Sequence, residues 1–295
     1  MLHSVVLVKQ VPDTANISGK VMNDDGTVNR AKLPAVFNTE DRVALELALR
    51  VKDRYGGRVS VVTMGPPRAS DVLRECLFMG ADAAYLVSDR KFAGADTLAT
   101  SYVLSRAINK IGPYDLVFAG RQAIDGDTAQ VGPQTAEKLR IPQITYTEEI
   151  REVQDGQLTI RRRIDGGYEV VRCSLPALLT VVKDAAEPRP LSAKRVMAKK
   201  NARSLNELEK MTEENSLLYI DKLVDEYKSR NLFITTFTTE DLDVDPERCG
   251  LKGSPTRVYK IDSVVLAGRD RQNVPPTREG LTHLIEALMR DHILG

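Results

Sequence analysis

Apolar residues in the first half of the chain come in short continuous runs, separated by segments with helical spacing. The first run, residues 4–11, is rich in β-branched residues and is typical of a strand buried on both faces of a sheet. Comparable strands are predicted at 58–64, 83–87 and 116–119, and from 141 to 146. Helices are predicted between them over 38–55, 69–79 and 96–111, and in a segment that ends at Leu139. This alternation predicts a parallel sheet covered by helices on both faces.

The pattern changes after residue 148. The turn signals Asp155-Gly156 and Asp165-Gly-Gly167 indicate antiparallel hairpins appended to the sheet, and an apolar strand is predicted at 176–182. Further predictions are a small hairpin at 20–28, a basic segment at 194–203, a charged helix at 205–228 and a last helix at 279–292. We therefore predict an α/β domain over residues 1–190 and a C-terminal arm over residues 191–295.

Charge and composition narrow the functional classes. The chain has 42 basic and 41 acidic residues and no tryptophan, which argues against a nucleic-acid binder with a basic, base-stacking surface. The three cysteines lie far apart, and the histidines at 3, 283 and 292 have no neighbouring nucleophile or ligand set. No apolar stretch approaches the roughly 20 residues of a membrane span. We expect a soluble, cytoplasmic protein without a metal site or catalytic residues of its own.

The most informative segment is the fourth predicted strand and the loop that follows it. Ligands of open α/β sheets bind at the carboxyl ends of the strands, and this loop carries Gly120 and Gly126, which permit close backbone approach. Asp127 or Thr128 is able to cap the next helix, whose free N–H groups suit a phosphate, and Gly132-Pro133 is an alternative helix start. No Lys-Ser/Thr pair follows the glycines, so the loop is not a P-loop. From spacing alone, an ordinary capped turn is as good an interpretation as a nucleotide site.

Other places are expected at the same edge of the sheet. They are the end of the first strand near Leu7, the predicted helix start at 38–41, Met64 after the second strand, and Thr97 at the start of a further helix. Each is also explained as an ordinary cap or turn, but together with the glycine loop they would line one crevice. A nucleotide crevice without an acid, base or nucleophile set suggests a protein that carries a cofactor.

Taken together, these residues resemble the β subunit of electron transfer flavoproteins, including the FixA-type members. The matching pieces are Val8-Lys-Gln-Val11, Phe37-Asn-Thr-Glu-Asp41, Met79-Gly-Ala-Asp82, Asp115-Leu-Val-Phe-Ala-Gly-Arg-Gln-Ala-Ile-Asp125, Arg163-Ile-Asp-Gly-Gly167, Leu175-Pro-Ala177 and Glu187-Pro-Arg189. They follow the family's order over about residues 4–200. The set is specific, although no single piece would be.

The resemblance implies a fold and a set of binding residues. The fold is a parallel-sheet nucleotide-binding domain of the adenine nucleotide alpha hydrolase-like type, with appended antiparallel hairpins and a C-terminal arm that wraps an α subunit. Carried over position by position, the cofactor-binding residues are Leu7, Asn38, Thr39, Glu40, Asp41, Met64, Thr97, Gly120, Arg121, Gln122, Ala123, Ile124, Asp125, Gly126, Asp127, Thr128, Ala129, Gln130 and Val131.

The cofactor implied by the resemblance depends on the subtype. Ordinary members hold a structural AMP in this subunit, whereas electron-bifurcating members hold FAD, which takes a hydride from NADH. The loop after Asp125 reads Gly-Asp-Thr-Ala-Gln-Val-Gly-Pro133 and is similar to the bifurcating type. Residues 95–100 are similar to it too, which makes Thr97 a candidate flavin contact. Small residues at Gly126 and Ala129 would leave room for the larger ligand, so FAD is favoured over AMP.

The function implied by the resemblance is electron transfer within a heterodimer. An α subunit would carry its own FAD, NADH would be the donor, and the acceptors would be ferredoxin or flavodoxin and an acyl-CoA dehydrogenase or quinone oxidoreductase. One departure concerns the partner: Ala193 stands where ordinary members carry the leucine that anchors a dehydrogenase, and Lys194 follows it. The alternatives are an ordinary electron carrier that holds AMP and, from another class, a nucleotide-binding regulatory module without redox activity.

Overall fold

A computed structural model describes residues 1–13, 34–211, 217–256, 273–291 and 293–294. Its strands are β1 (Leu2–Leu7), β2 (Gln10–Pro12), β3 (Ala35–Phe37), β4 (Gly57–Met64), β5 (Ala83–Val87), β6 (Leu116–Gly120), β7 (Gln143–Gln154), β8 (Gln157–Ile164), β9 (Gly167–Ser174), β10 (Ala177–Val181), β11 (Arg203–Ser204) and β12 (Phe233–Phe237). Its α-helices are α1 (Thr39–Tyr55), α2 (Ser70–Met79), α3 (Thr97–Ile111), α4 (Val131–Leu139), α5 (Ala193–Lys199), α6 (Leu205–Met211), α7 (Leu217–Ser229) and α8 (Arg278–Arg290). The hairpin predicted at 20–28 lies outside the described residues.

Ten strands form one sheet in the order β11-β12-β5-β4-β1-β6-β10-β7-β8-β9. All neighbours from β11 to β7 are parallel, and β8 and β9 are added antiparallel after β7. Parallel neighbours need long connections, and the helices between the strands supply them. The predicted fold class, a parallel α/β sheet with appended antiparallel hairpins, is confirmed.

The sheet is buried on both faces. α1 and α2 cover one face, where Leu45 and Leu73 belong to a common core. α3 and α4 cover the other face, where Val103 and Ala136 pack in a second core. A strand between two helical layers has no polar face, and every residue of β6 is accordingly buried.

The run at residues 4–11 divides into two strands. β1 ends at Leu7, and β2 pairs with β3 in a separate two-stranded antiparallel sheet. β1 lies between β4 and β6 in the large sheet, and the last paired residues of β1 and β6 are Val6 and Phe118. The next strands of this sheet in the chain, β4 and β5, are added on one side of β1. β6 lies on the other side of β1, and β7 to β10 are added beyond it. Ligands of open α/β sheets bind outside the carboxyl ends of the strands at such a reversal.

The β7–β9 hairpins pack against α1 through one face. Leu158 and Ile160 of β8 are fully buried in the core that α1 helps to form. At the end of α1, the Tyr55 hydroxyl accepts a hydrogen bond from the Val153 N–H at 3.2 Å. The fifth strand, predicted to start at 141–146, is therefore the first part of a longer β7, and β10 returns between β6 and β7.

The segment after residue 190 contributes to the sheet. β12 pairs in parallel with β5, and β11 pairs with β12. The chain divides into two compact units, Met1–Arg257 and Val258–Gly295. The first unit continues past residue 190, where the sequence pattern predicts the start of an arm, because these two strands extend its sheet. The wrapping of a partner by the arm stays a prediction.

The described part of the second unit consists mainly of α8. Thr277 caps this helix by accepting a hydrogen bond from the Gly280 N–H at 3.2 Å. Leu281, Ile285 and Met289 recur at every fourth position and are all exposed. Neither α8 nor any other helix in the described ranges has the length and apolar content needed to cross a membrane.

Candidate functional site

Asn38, directly before α1, holds the loop that follows β6. The residue is fully buried. Its side-chain Nδ2 donates to the Gln122 carbonyl at 2.9 Å, and its Oδ1 accepts from the Ile124 N–H at 3.2 Å. The Asn38 side chain therefore fixes the start of this loop and does not cap α1.

Glu40, in the first turn of α1, binds the same loop through charge. Its Oε1 accepts from Arg121 Nη2 at 2.9 Å, and its Oε2 accepts from the Gln122 N–H at 2.9 Å. The hydrogen bond from the guanidinium to this buried carboxylate raises the pKa of Arg121 above its ordinary value. The neighbouring Thr39 is exposed. The two residues after β6 are thus tied to α1, and the chain leaves the strand in a fixed direction.

Asp41 connects the ends of two strands. Its Oδ1 accepts from the Gly120 N–H at 3.0 Å, and its Oδ2 accepts from the Lys9 N–H at 2.9 Å. Only 7% of the residue is exposed, and burial raises the pKa of its carboxyl group to about 7. The carboxylate therefore holds the segment after β1 and the end of β6 on either side of the first turn of α1.

Gly120 allows β6 to approach α1 this closely. A Cβ at this position would lie 2.5 Å from Asp41 Oδ1 and 2.8 Å from the carbonyl carbon of Glu40. Both distances are too short for real atoms, so a side chain here would displace the helix or the strand. The close backbone approach at Gly120 is made to the chain's own helix.

Residues 121–130 form the loop between β6 and α4, and the outer part of this loop is open. Its exposed residues are Ile124, Gly126, Asp127, Thr128 and Gln130. A Cβ on Gly126 would meet no atom within 4 Å. Asp127 and Ala129 have φ angles of 49° and 53°, in the left-handed region that residues other than glycine seldom adopt. Strained backbone of this kind is concentrated at binding sites.

The start of α4 differs from the prediction. The helix begins at Val131, so Asp127 and Thr128 lie too far before it to cap it, and the prediction that one of them does is wrong. Asp127 instead accepts a hydrogen bond from Gln122 Nε2 at 2.8 Å, which closes the loop on itself. Gln130 does not cap the helix with its side chain either. A helix start of this kind leaves N–H groups that suit an anion.

Thr97 reaches the end of this loop from α3. Its hydroxyl donates to Gln130 Oε1 at 2.8 Å and accepts from Gln134 Nε2 at 3.5 Å. The preceding residue, Asp96, caps α3 and also accepts hydrogen bonds from the N–H and hydroxyl groups of Thr256. The structure thus brings Thr97 together with the loop after β6.

Leu7 and Met64 occupy the ends of β1 and β4. Leu7 is buried, and the half-buried Met64 packs against the core on the α3 side of the sheet. The Gly65 N–H next to Met64 donates to the Val87 carbonyl at 3.1 Å. Met64 therefore gives this edge of the sheet partly exposed apolar surface, whereas Leu7 belongs to the buried core.

Two residues that the sequence does not single out also lie at this edge. The Lys9 Nζ is 2.7 Å from Asp125 Oδ1, and its side chain is half-exposed. Tyr146 lies at a bulge of β7 with a φ of 57°, and its ring centroid is 5.9 Å from the Arg121 guanidinium carbon. Lys9 belongs to a family-like piece and was within reach of sequence reasoning, whereas no sequence signal marks the bulge.

The arrangement suits the binding of a phosphate-containing ligand. Lys9 supplies an ammonium group that is paired with Asp125, the open loop and the first turn of α4 supply backbone donors, and Met64 supplies apolar surface. The space beside Gly126 leaves room for a ligand to approach the backbone. Within the described ranges, no group of three or more His, Cys, Asp or Glu residues could hold a metal ion.

Known proteins are similar to this chain over most of its length. Residues 25–209 match the family model of the electron transfer flavoprotein domain. The chain is 41% identical over 293 residues to the electron transfer flavoprotein subunit beta of Clostridium acetobutylicum, covering 99% of this chain and 100% of that protein. It is 42% identical over 295 residues to the caffeyl-CoA reductase-Etf complex subunit CarD of Acetobacterium woodii, with 99% and 100% covered. It is 38% identical over 293 residues to Protein FixA of Bradyrhizobium diazoefficiens, with 97% and 87% covered.

Proposed function

The chain belongs to the electron transfer flavoprotein family, and on that premise we propose that it is the β-type subunit of a heterodimer that oxidises NADH and bifurcates the electrons. In this proposal the crevice at the carboxyl ends of β1 and β6 holds FAD. An α-type subunit completes the heterodimer. The electrons leave toward ferredoxin or flavodoxin on the low-potential branch and toward a dehydrogenase or quinone oxidoreductase on the high-potential branch.

The observation that carries the proposal is the shape of the loop after β6. Asn38 and Glu40 fix its start to α1 through buried hydrogen bonds. Its outer part is exposed, and Gly126 faces open space. A ligand site needs a loop whose start is held rigidly and whose outer part is open to the ligand. A turn that only connects a strand to a helix needs neither feature.

The small residues of the loop favour the larger of the two cofactors. Gly126 and Ala129 present little bulk to the space above the loop. FAD contains the adenosine phosphate of AMP and a flavin beyond it, so an opening on the rim of the site suits FAD. One of the relatives is named as a subunit of a caffeyl-CoA reductase-Etf complex, which supports a dehydrogenase-type partner.

The residues of this chain would bind and orient the cofactor. The loop N–H groups and the first turn of α4 would hold its phosphates, together with the Lys9 ammonium that is paired with Asp125, and the half-buried Met64 would contact its apolar parts. When bound, the flavin supplies the redox chemistry, and the protein supplies position and electrostatics.

The substitution Gly126→Glu tests where the cofactor binds. The new side chain would enter open space at an ordinary φ, so it should leave the fold intact but block the approach of phosphates by bulk and negative charge. We expect the purified complex to lose the cofactor of this subunit while its thermal unfolding temperature stays unchanged. The measurement is the amount of FAD and AMP released on denaturation.

Gly167→Glu is the matched control for this substitution. Gly167 is the first residue of β9, directly after the turn from β8, is exposed, and also faces open space, so its variant adds the same charge away from the crevice. It should retain the full cofactor content. An unchanged content in the Gly126→Glu complex would contradict the proposed site.

A further inference from the structure

We infer that Asp41 is a positioning residue that sets the separation of β1 and β6 at the mouth of the crevice, and that only its ionised form does so. The inference rests on the proposed function, because it concerns how the crevice is held in shape for its nucleotide. It changes the role given to Asp41 by family resemblance, from cofactor contact to support of the site.

The hydrogen-bond pattern of the two strands shows what the carboxylate does. The described ladder between β1 and β6 ends at Val6 and Phe118. Gly120 and Lys9 come two and three residues later, and their N–H groups are bonded to the two oxygens of Asp41 at 3.0 Å and 2.9 Å. The side chain thus continues the connection between the strands at the point where the backbone ladder stops. We refer to this arrangement as the carboxylate bridge.

The Asp41 carboxylate is too deeply buried to contact a cofactor directly. Asp41 is 7% exposed, and both of its oxygens already accept backbone hydrogen bonds. Gly120 passes so close that a Cβ there would lie 2.5 Å from Asp41 Oδ1. A carboxylate enclosed in this way acts on a ligand through the strands that it holds.

The bridge requires the ionised form. Each of the two strands offers an N–H donor, so both oxygens accept. Protonation turns one oxygen into a hydroxyl, which is a much weaker acceptor and whose proton faces an N–H donor, so the bond to that strand is weakened. Burial raises the pKa of this group to about 7, against the opposing effect of the Lys9 charge and the hydrogen bonds. The bridge should therefore open and close near neutral pH.

Titratable and charged groups lie on the elements that pack around Asp41. They are Lys9 after β1, Glu40 and Arg42 on α1, Glu75 and Cys76 on α2, and Arg121 and Asp125 after β6. Burial raises the pKa of Cys76 well above its ordinary value and also raises the pKa of Glu75. Variants of Asp41 are needed to separate its titration from that of Glu75.

The effect of pH on Asp41 has opposite signs for folding and for binding. Because its folded pKa lies above the ordinary value of 3.8, the folded chain takes up a proton between pH 3.8 and about 7. The contribution of this group to the free energy of unfolding therefore increases as the pH falls through that window. The affinity for FAD should change the other way, because protonation opens the bridge. A residue that served stability alone would not weaken binding where it strengthens the fold.

The test is a titration of the full chain, in its purified complex, with FAD at several pH values between about 5.5 and 8.5. FAD is the probe because its pyrophosphate has no monoester proton that titrates near neutral pH. We expect the affinity of the wild-type chain to fall by about tenfold in total as the pH falls through about 7, with no parallel fall in unfolding temperature. Asp41→Asn should bind roughly tenfold more weakly than wild type at high pH and lose the pH dependence.

Glu46→Gln is the matched control. Glu46 is a buried acid on the same helix, but its partners are Arg189 and Arg50, away from the crevice. This variant should unfold at a lower temperature and keep the wild-type pH profile of FAD binding. A pH-independent affinity in the wild-type chain, or an equally flat profile in Glu46→Gln, would overturn the role of Asp41 alone. Failure of the wild-type site to bind FAD at any pH would overturn the proposed cofactor as well.

Discussion

At Gly120, β6 packs directly against the first turn of α1. The effect of adding a side chain there on the stability of the fold can therefore be predicted. A Cβ there would lie 2.7 Å from the Asp41 backbone nitrogen, so Gly120→Ala forces the strand and the helix apart. We expect the free energy of unfolding to fall by about 1–3 kcal/mol, which is the usual cost of overpacking. Denaturant unfolding measures it.

Gly126→Ala is the control for that measurement. The two glycines belong to the same segment, but an added methyl group at Gly126 meets open space. Its effect on the free energy of unfolding should stay within about 0.5 kcal/mol. Equal stability of the two alanine variants would show that Gly120 is not needed for packing against α1.

Sequence reasoning reaches part of the site at the scale of residues. The family-like pieces point to Asn38, Glu40 and the loop after β6, and the structure brings these residues into contact. The pairing of Lys9 with Asp125 spans 116 positions, which no local pattern encodes. The left-handed backbone of Tyr146 is likewise invisible in the sequence, because it arises from a bulge in the pairing of β7 with β10. The motifs therefore identify some residues of the site, and the others are identified only from long-range contacts in the folded chain.

At the scale of elements, the basic segment at 194–203 has two kinds of positive residue. Arg195, in α5, donates to the Met79 carbonyl at 3.0 Å, and Lys199 donates to the Asn231 carbonyl at 2.6 Å, so both support the fold. Lys194 and Lys200 are exposed. A docking role for this segment would therefore rest on the exposed pair.

Reversing the charge of this pair tests the docking role. Lys194→Glu with Lys200→Glu should slow electron transfer to a protein acceptor several-fold at low salt, because complementary charge accelerates association. The reduction of a small dye by NADH should be unchanged. Stopped-flow kinetics with a ferredoxin and with an acyl-CoA dehydrogenase would measure the protein reactions. The double variant Lys110→Glu with Lys222→Glu reverses two exposed charges on other helices, and a similar slowing in that control would contradict a specific role for α5.

The elements themselves are predicted unevenly by the sequence. Apolar runs between glycine and proline signals identify β4, β5 and β6 closely, because strands buried on both faces carry a strong pattern. β12 was not predicted, since its five residues include three that are only half-buried and its partner β5 lies far away in the chain. Its place between β5 and the edge strand β11 depends on long-range pairing that a local pattern does not contain.

At the scale of the whole molecule, the two compact units have different tasks in the proposed function. The Met1–Arg257 unit contains the crevice and the full parallel sheet. The described part of the Val258–Gly295 unit presents α8, whose exposed apolar residues suit contact with another chain.

The most direct measurement is the identity and number of adenine-containing ligands released when the purified heterodimer is denatured. Liquid chromatography with mass detection would separate FAD from AMP and count each against the protein. The proposed function predicts two FAD per heterodimer, one of them from the crevice of this chain. One FAD with one AMP would contradict bifurcation and indicate an ordinary carrier, and the absence of any adenine-containing ligand from this chain would contradict the nucleotide site itself.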